Sequence, residues 1–195
     1  MRVNRKSIAS AALAAGLLLC GASVHASAWG LAQLMEQLAT VESRRVGYSE
    51  VRHIELLGMP LQSSGELIYR APDYLKKTIV QGGEGSYEID GELLRIDAGG
   101  ARRELPLDSH PALAAFVASF RATLAGDLAT LQRYYRVTLE GSAEAWRLGL
   151  EPTESTMAMV VRRVVIEGSG KRLLQVETLE AGGDRSVMTI RGESD

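Results

Sequence analysis

A single cysteine, Cys20, occurs in 195 residues. No disulfide can close within such a chain, and zinc sites built on several thiolates are excluded. Neither sign of charge dominates: 22 Lys and Arg stand against 24 Asp and Glu, a formal net charge of −2. That balance offers no broad positive field for phosphates, which argues against binding nucleic acid or a polyanionic surface. Aromatic residues are scarce at 5%, and none is interleaved with the basic doublets Arg44-Arg45, Arg102-Arg103 and Arg162-Arg163. A solvated surface is the economical reading of all three. His53 and His110 are far apart and lack HExxH or HxxxH spacing, and neither GxxxxGK[ST] nor GxSxG is present. Gly82, Gly83 and Gly85 lack the strand-to-helix setting of a dinucleotide site and read as a hairpin turn. No catalytic residue, metal ligand or cofactor is therefore assigned. Scattered carboxylates such as Glu84, Glu88, Asp90, Glu92 and Asp97 read as solvated turns.

What is present begins with an export signal. Arg2, Arg5 and Lys6 precede an uncharged run from Ile8 to Cys20, and small residues follow through Ala28. That is the order of a secretory leader. The run of about 13 residues falls short of the roughly 20 a membrane-spanning helix needs. Cleavage sites after Ala26 and after Ala28 compete; the second makes residues 1–28 the leader and opens the mature chain on Trp29. Cys20 follows Leu19 rather than a small residue, so it reads as part of the leader and not as an acylation site. The leader carries three bases and no acid, which leaves 19 basic against 24 acidic residues after its removal. An acidic exported chain without cysteine fits a bacterial periplasm.

At 46% hydrophobic residues the chain is not disordered, and no linker divides residues 29–195, which read as one domain. Leu31, Leu34, Met35, Leu38 and Val41 recur at three and four residues, the stripe of an amphipathic helix over 29–43. From Arg45 onward, short segments alternate with Gly, Pro and Asp, and about ten antiparallel strands are expected: 48–57, 65–70, 74–80, 86–90, 92–97, 135–140, 143–150, 157–167, 172–180 and 186–191. Asp90-Gly91 marks a tight hairpin with both residues at positive φ. About 20 Ala- and Leu-rich residues interrupt the series after Asp108-Ser109-His110-Pro111, with Asp108 or Ser109 as cap. Leu113, Phe116, Phe120 and Leu124 lie at helical spacing, and Gly126-Asp127 breaks this helix and restarts a shorter one. The fold class is α+β: a strongly curved antiparallel sheet, open along one side, with an N-terminal helix and a helical lid.

A thin curved sheet has one face to bury and few helices to cover it. Its candidate concave face is Leu67, Tyr69, Leu75, Tyr87, Ile89, Leu94, Ile96, Trp146, Leu148, Leu150, Met157 and Met159, with Phe116, Phe120 and Leu124 on the lid. Methionine suits an apolar surface that must adapt to different occupants.

The order of elements, the stretch Tyr48-Ser49-Glu50-Val51-Arg52, the segment from Ser64 to Leu75 (SGELIYRAPDYL) and the turn Ile89-Asp90-Gly91-Glu92-Leu93-Leu94 together resemble the LolA family of outer-membrane lipoprotein carriers. The layout matches over the whole mature chain, the motifs over residues 45 to 97. The resemblance implies a half-open β-barrel whose apolar face shields the acyl chains of a lipoprotein or related lipid. It also implies a monomeric, non-catalytic carrier in the periplasm, with an inner-membrane donor complex and an outer-membrane acceptor as partners. A sensor or scaffold of the same fold, recognising lipoprotein or a partner peptide, is the alternative. One departure stands out. The family places an arginine before the proline, where it latches the lid, and this chain has Ala71 there with Arg70 one residue earlier. One step along a strand turns a side chain to the other face, so Arg70 is a possible latch only if a bulge redirects it. The departure points to a divergent member with a different acylated cargo, such as a glycolipid or polyene-like lipid.

Overall fold

The computed structural model describes residues 29–193; the leader read at residues 1–28 lies outside them. Eleven strands form one sheet: β1 (Ser43–His53), β2 (Leu61–Arg70), β3 (Tyr74–Gln81), β4 (Gly85–Asp90), β5 (Leu93–Ala98), β6 (Ala101–Pro106), β7 (Tyr135–Ser142), β8 (Ala145–Pro152), β9 (Val161–Ser169), β10 (Arg172–Glu180) and β11 (Arg185–Glu193). Their spatial order is β6-β5-β4-β3-β2-β1-β11-β10-β9-β8-β7. Every neighbour is antiparallel, and every pairing is sequential except β1 with β11. That one long-range pairing joins two meanders into a single sheet and leaves β6 and β7 as its edges.

The chain must cross from one edge to the other between β6 and β7, and it does so as helices. A 3₁₀ turn at Leu107–Ser109 leads into α2 (Pro111–Ala125) and then α3 (Leu128–Tyr134). Pro111 stands in the first turn of α2, where its missing N–H costs nothing. Neither Asp108 nor Ser109 caps it: the capping position is His110, with no side-chain cap. Gly126 ends α2 at φ +68°, and a Cβ there would lie 2.1 Å from the Met35 carbonyl oxygen, so glycine is needed for both conformation and space. Asp127 then caps α3 by accepting from the Thr130 backbone N–H at 3.0 Å. The remaining helices are α1 (Leu31–Ala39), shorter than the 29–43 expected, and the single turn α4 (Ser155–Ala158).

Three further differences from the sequence reading have local causes. Strand β6 is an addition to the expected set, because Leu105 is its one large aliphatic residue besides Pro106; it is an edge strand, and Arg102, Arg103 and Glu104 discourage further pairing there. Met157 begins no strand, since residues 155–158 are helical and β9 starts at Val161. The β4–β5 turn has Gly91 and Glu92 at its centre, because Asp90 still pairs with Leu93, and Gly91 alone takes positive φ.

The core is lopsided. Over β7–β9, the side chains of Trp146, Leu148, Leu150, Val164 and Ile166 pack with Leu34, Met35 and Leu38 of α1, Ala122 of α2, Leu131 of α3 and Met157 of α4. Gly168 belongs to this packing: a Cβ there would fall 2.1 Å from the Trp146 ring, whose indole N–H donates to the Gly170 carbonyl at 2.8 Å. A smaller cluster at the far edge joins Leu94 and Leu107 to Val117 of α2. The concave face between these two clusters has no helix pressed fully onto it.

Candidate functional site

A cavity of about 730 Å³ lies between α2 and the concave face of β1–β4, β10 and β11. Packed interiors leave few voids larger than one water, so this space is not a packing defect. Its size is that of a ligand pocket. The pleat explains which residues reach it. Paired residues of neighbouring strands share a face, and Arg44–Tyr69–Leu75–Ile89 and Val46–Leu67–Lys77–Tyr87 form two successive rows across β1, β2, β3 and β4. All eight line the cavity.

From above, α2 contributes Phe116, Phe120 and Leu124, one stripe at intervals of four. The two phenyl rings meet edge to face, with centroids 4.9 Å apart at 71°, a favourable aromatic geometry. Ser119 and Thr123 are buried beside them without loss, because each hydroxyl donates to a backbone carbonyl one turn back, Ala115 at 2.7 Å and Ser119 at 2.9 Å.

The expected site residues divide by half of the sheet. Leu67, Tyr69, Leu75, Tyr87 and Ile89 line the cavity, as do all three lid residues. Leu94 and Ile96 instead pack in the edge cluster under the start of α2. Trp146, Leu148, Leu150 and Met157 are on or under the concave face but are covered by helices as core. Met159 follows α4 and is 71% exposed, facing solvent rather than a groove. Cavity residues not foreseen include Val46, Val176, Met188 and Ile190 from β1, β10 and β11 among the apolar ones, and the charged Glu50 of β1 and Lys77 of β3. The alternation Val187-Met188-Thr189-Ile190 carried a readable signal; the pairing of β11 with β1, which brings it here, did not.

Arg70 is on the outer face of the sheet, turned away from α2. Its pairing partners Ser43 and Tyr74 lie on the outer face, and its guanidinium sits 3.8 Å from the Tyr74 ring centroid. The sheet is instead joined to the lid from the opposite direction. Arg121, the one charged residue of α2, donates to the backbone carbonyl of Gly91 in the β4–β5 turn, and its guanidinium is 3.5 Å from the Glu92 carboxylate. Its Nε is buried without a partner, so the contact is only part satisfied.

The polar groups of the cavity are arranged by end. Toward the C-terminal end of β1, Lys77 pairs with Glu50 and lies 4.9 Å from the Tyr48 ring centroid, while Arg52 pairs with Glu180 at 2.8 Å and Asp184 at 3.5 Å. Toward the other end stand Arg44, Lys171, Arg172 and Arg191. Tyr48 and Tyr69 have buried hydroxyls, and burial pushes both phenols above their ordinary value, so they remain neutral. Among the described residues no group of three or more His, Cys, Asp or Glu is placed to hold a metal ion. No helix among them is long and apolar enough to cross a membrane. The loop between β1 and β2 is an apolar tip: Leu56 is 95% and Met59 72% exposed, with Leu57 and Leu61 beside them.

Residues 22–194 match the family described as outer membrane lipoprotein carrier protein LolA-like. The chain belongs to that family. No curated protein sequence matches it. Among solved structures it is similar to a LolA superfamily protein from Nitrosomonas europaea, with 10% identity over 86% of this chain and 95% of the other and a TM-score of 0.45. It is also similar to the lipoprotein LppX of Mycobacterium tuberculosis, with 12% identity over 82% of this chain and 92% of the other and a TM-score of 0.42. A third likeness is to the MucA/MucB complex of Pseudomonas aeruginosa, with 14% identity over 85% of this chain and 58% of the other and a TM-score of 0.45. In this chain Ala71 stands before Pro72, and the arginine that reaches from α2 to the sheet is Arg121.

Proposed function

We propose that the chain is a periplasmic carrier that takes up the acyl chains of a lipoprotein, or of a related lipid or glycolipid, and moves them between the inner and outer membranes. On this reading residues 1–28 are removed on export and residues 29–195 are a single non-catalytic carrier domain. The observation that carries it is the unfilled cavity between α2 and the concave face, lined by Leu67, Tyr69, Leu75, Ile89, Phe116 and Phe120. Burial of each methylene there is worth about 0.8 kcal/mol, so a chain of about ten methylenes gains roughly 8 kcal/mol before ordering costs. Family membership supports the same reading. So does the lid: α2 is held to the sheet's far edge by a small cluster and a partly satisfied arginine, a contact weak enough to exchange for a ligand. The apolar tip at Leu56 and Met59 supports hand-over at a membrane or a membrane-embedded partner.

The test is to purify the protein from the periplasm, extract it with organic solvent and look for acylated species by mass spectrometry. Uptake of a fluorescent acyl probe is measured in parallel. Phe120→Asp should weaken probe retention at least tenfold with a smaller loss of folding stability. Protein that is consistently empty and refuses the probe would sink the carrier reading in favour of a scaffold.

A further inference from the structure

An acyl slot is served by apolar walls throughout, yet an ion pair is built into this one. Glu50 of β1 and Lys77 of β3 both line the cavity and pair with each other, although β2 runs between their strands. The register explains the reach. Tyr48 is the partner of Gly65, and the missing side chain at Gly65 lets the Tyr48 ring lie over β2, its Cε1 3.1 Å from where a Cβ would stand. Lys77 crosses that ring, 4.9 Å from its centroid, to meet Glu50. Both charged side chains are largely withdrawn from water, Glu50 at 14% and Lys77 at 25% exposure. Apolar side chains of similar size would line the wall without the cost of desolvating two ions, so carrying a hydrocarbon chain does not by itself explain the pair. Its neighbours are under-bonded too. The Ser63 hydroxyl donates to Glu50 only at 3.5 Å, and the Tyr48 hydroxyl, buried beside Ser63 and Glu50, has no close hydrogen bond of its own. Thr178 and Ser186, partners on β10 and β11, add two hydroxyl groups to the same end of the cavity. Tyr87, paired with Lys77 across β3 and β4, sets an aromatic ring beside them.

We propose that this end of the cavity is a subsite for an uncharged polyhydroxyl headgroup, the chemistry of a sugar, held by Glu50 and Lys77 while its acyl chain lies along the cavity. The inference rests on the carrier reading and adds a class of cargo to it. Because the two charges answer each other, the subsite favours no net ion. What it offers is hydrogen bonds of both senses: the ammonium keeps donors, and the carboxylate keeps lone pairs, beyond those they spend on each other. A hydroxyl both donates and accepts, so neighbouring hydroxyl groups of one headgroup bond to Lys77 and Glu50 together. The Tyr87 ring gives the C–H face of a sugar a flat apolar surface. A few placed polar groups in an otherwise apolar pocket also fix direction: the head lies between β1 and β3, and the chain runs toward Phe116 and Phe120.

The experiment displaces the fluorescent acyl probe with amphiphiles that share one dodecyl chain, each kept below its micelle concentration. They are dodecyl glucoside, a dodecyl polyether whose uncharged head is almost all acceptors, dodecyl phosphate and dodecyltrimethylammonium. The unaltered protein should favour the glucoside over each of the others by about tenfold. Glu50→Gln leaves Lys77 without its counter-charge and should turn the preference toward dodecyl phosphate; Lys77→Met leaves Glu50 and should turn it toward dodecyltrimethylammonium. A pair that only braces β1 against β3 produces no such opposite shifts. In Glu50→Leu/Lys77→Met the preference for the glucoside should vanish while polyether binding, which reports an intact fold, is unchanged. Equal displacement by glucoside and polyether in the unaltered protein, a charged amphiphile favoured there over the glucoside, single variants with unshifted preference, or a preference that survives the double substitution each overturn the headgroup subsite and leave the carrier reading standing. Failure to take up any acyl probe overturns both.

Discussion

Arg121 of α2 donates to the carbonyl of Gly91, thirty residues earlier in the β4–β5 turn, and so joins the helix that covers the cavity to the far half of the sheet. The glycine's φ of +54° shapes the turn that presents this carbonyl. Removing the guanidinium takes away a charge-assisted hydrogen bond from a side chain that is only 15% exposed. Arg121→Ala should cost about 1–2 kcal/mol in denaturant unfolding and speed both uptake and release of an acyl probe in stopped-flow measurements. A slower exchange would show that Arg121 guides the ligand rather than holding the lid.

Gly168 and Trp146 form the opposite kind of contact, one that leaves no room to move. With a Cβ of residue 168 built 2.1 Å from the indole ring, Gly168→Ala must displace Trp146 or bend β9. A loss of about 1–3 kcal/mol is expected, read by thermal or denaturant unfolding, with a changed tryptophan emission. Probe affinity per folded molecule should hold, because neither residue lines the cavity.

Acid should weaken the fold through carboxylates that gain partners on folding. Hydrogen bonds from the Thr130 side chain and its backbone N–H hold Asp127 below its ordinary value, and the Lys76 ammonium does the same for Glu88. A folded pKa below the unfolded one gives stability that is present above the unfolded value of about 4 and lost as pH falls through the folded one. Stability should therefore be level from neutrality to about pH 5 and decline below about pH 4. Asp127→Asn keeps a capping side chain and should remove that residue's share of the decline, whereas Asp127→Ala should cost about 1 kcal/mol at neutral pH.

The apolar tip between β1 and β2 should be dispensable for folding and needed for delivery. Leu56→Ser with Met59→Ser removes exposed surface that packs on nothing, so unfolding should shift by no more than about 0.5 kcal/mol. Transfer of probe to acceptor vesicles should slow several-fold while equilibrium binding is unchanged. Unaltered transfer would show that hand-over does not use this loop.

Much of the architecture was legible because it is written in short periods. The stripe Leu31, Leu34, Met35, Leu38 announces α1, the break at Gly126-Asp127 divides α2 from α3, and Phe116, Phe120 and Leu124 lie on the lid's cavity face as their spacing implies. Alternation in β2 also placed Leu67 and Tyr69 on the concave side, opposite Arg70. Edge strand β6 was hidden because an edge needs no apolar face. The cavity itself was only half legible: Leu75 and Trp146 are both apolar residues on the concave side of their strands, yet one lines the cavity and the other is core.

What the sequence by itself determined is therefore local: where strands, turns and helices lie, and which residues of each strand share a face. Tertiary structure decided which of those faces is filled. That depends on β11 pairing with β1 across more than a hundred residues of chain, and on α1, α3 and α4 all settling over β7–β9 while α2 alone spans the other half. The same long-range closure brings Met188 and Ile190 to the cavity beside Leu67 and Tyr69. Side-chain periodicity reports only how a segment is turned, whereas a cavity is what remains once distant segments have competed for the same apolar surface.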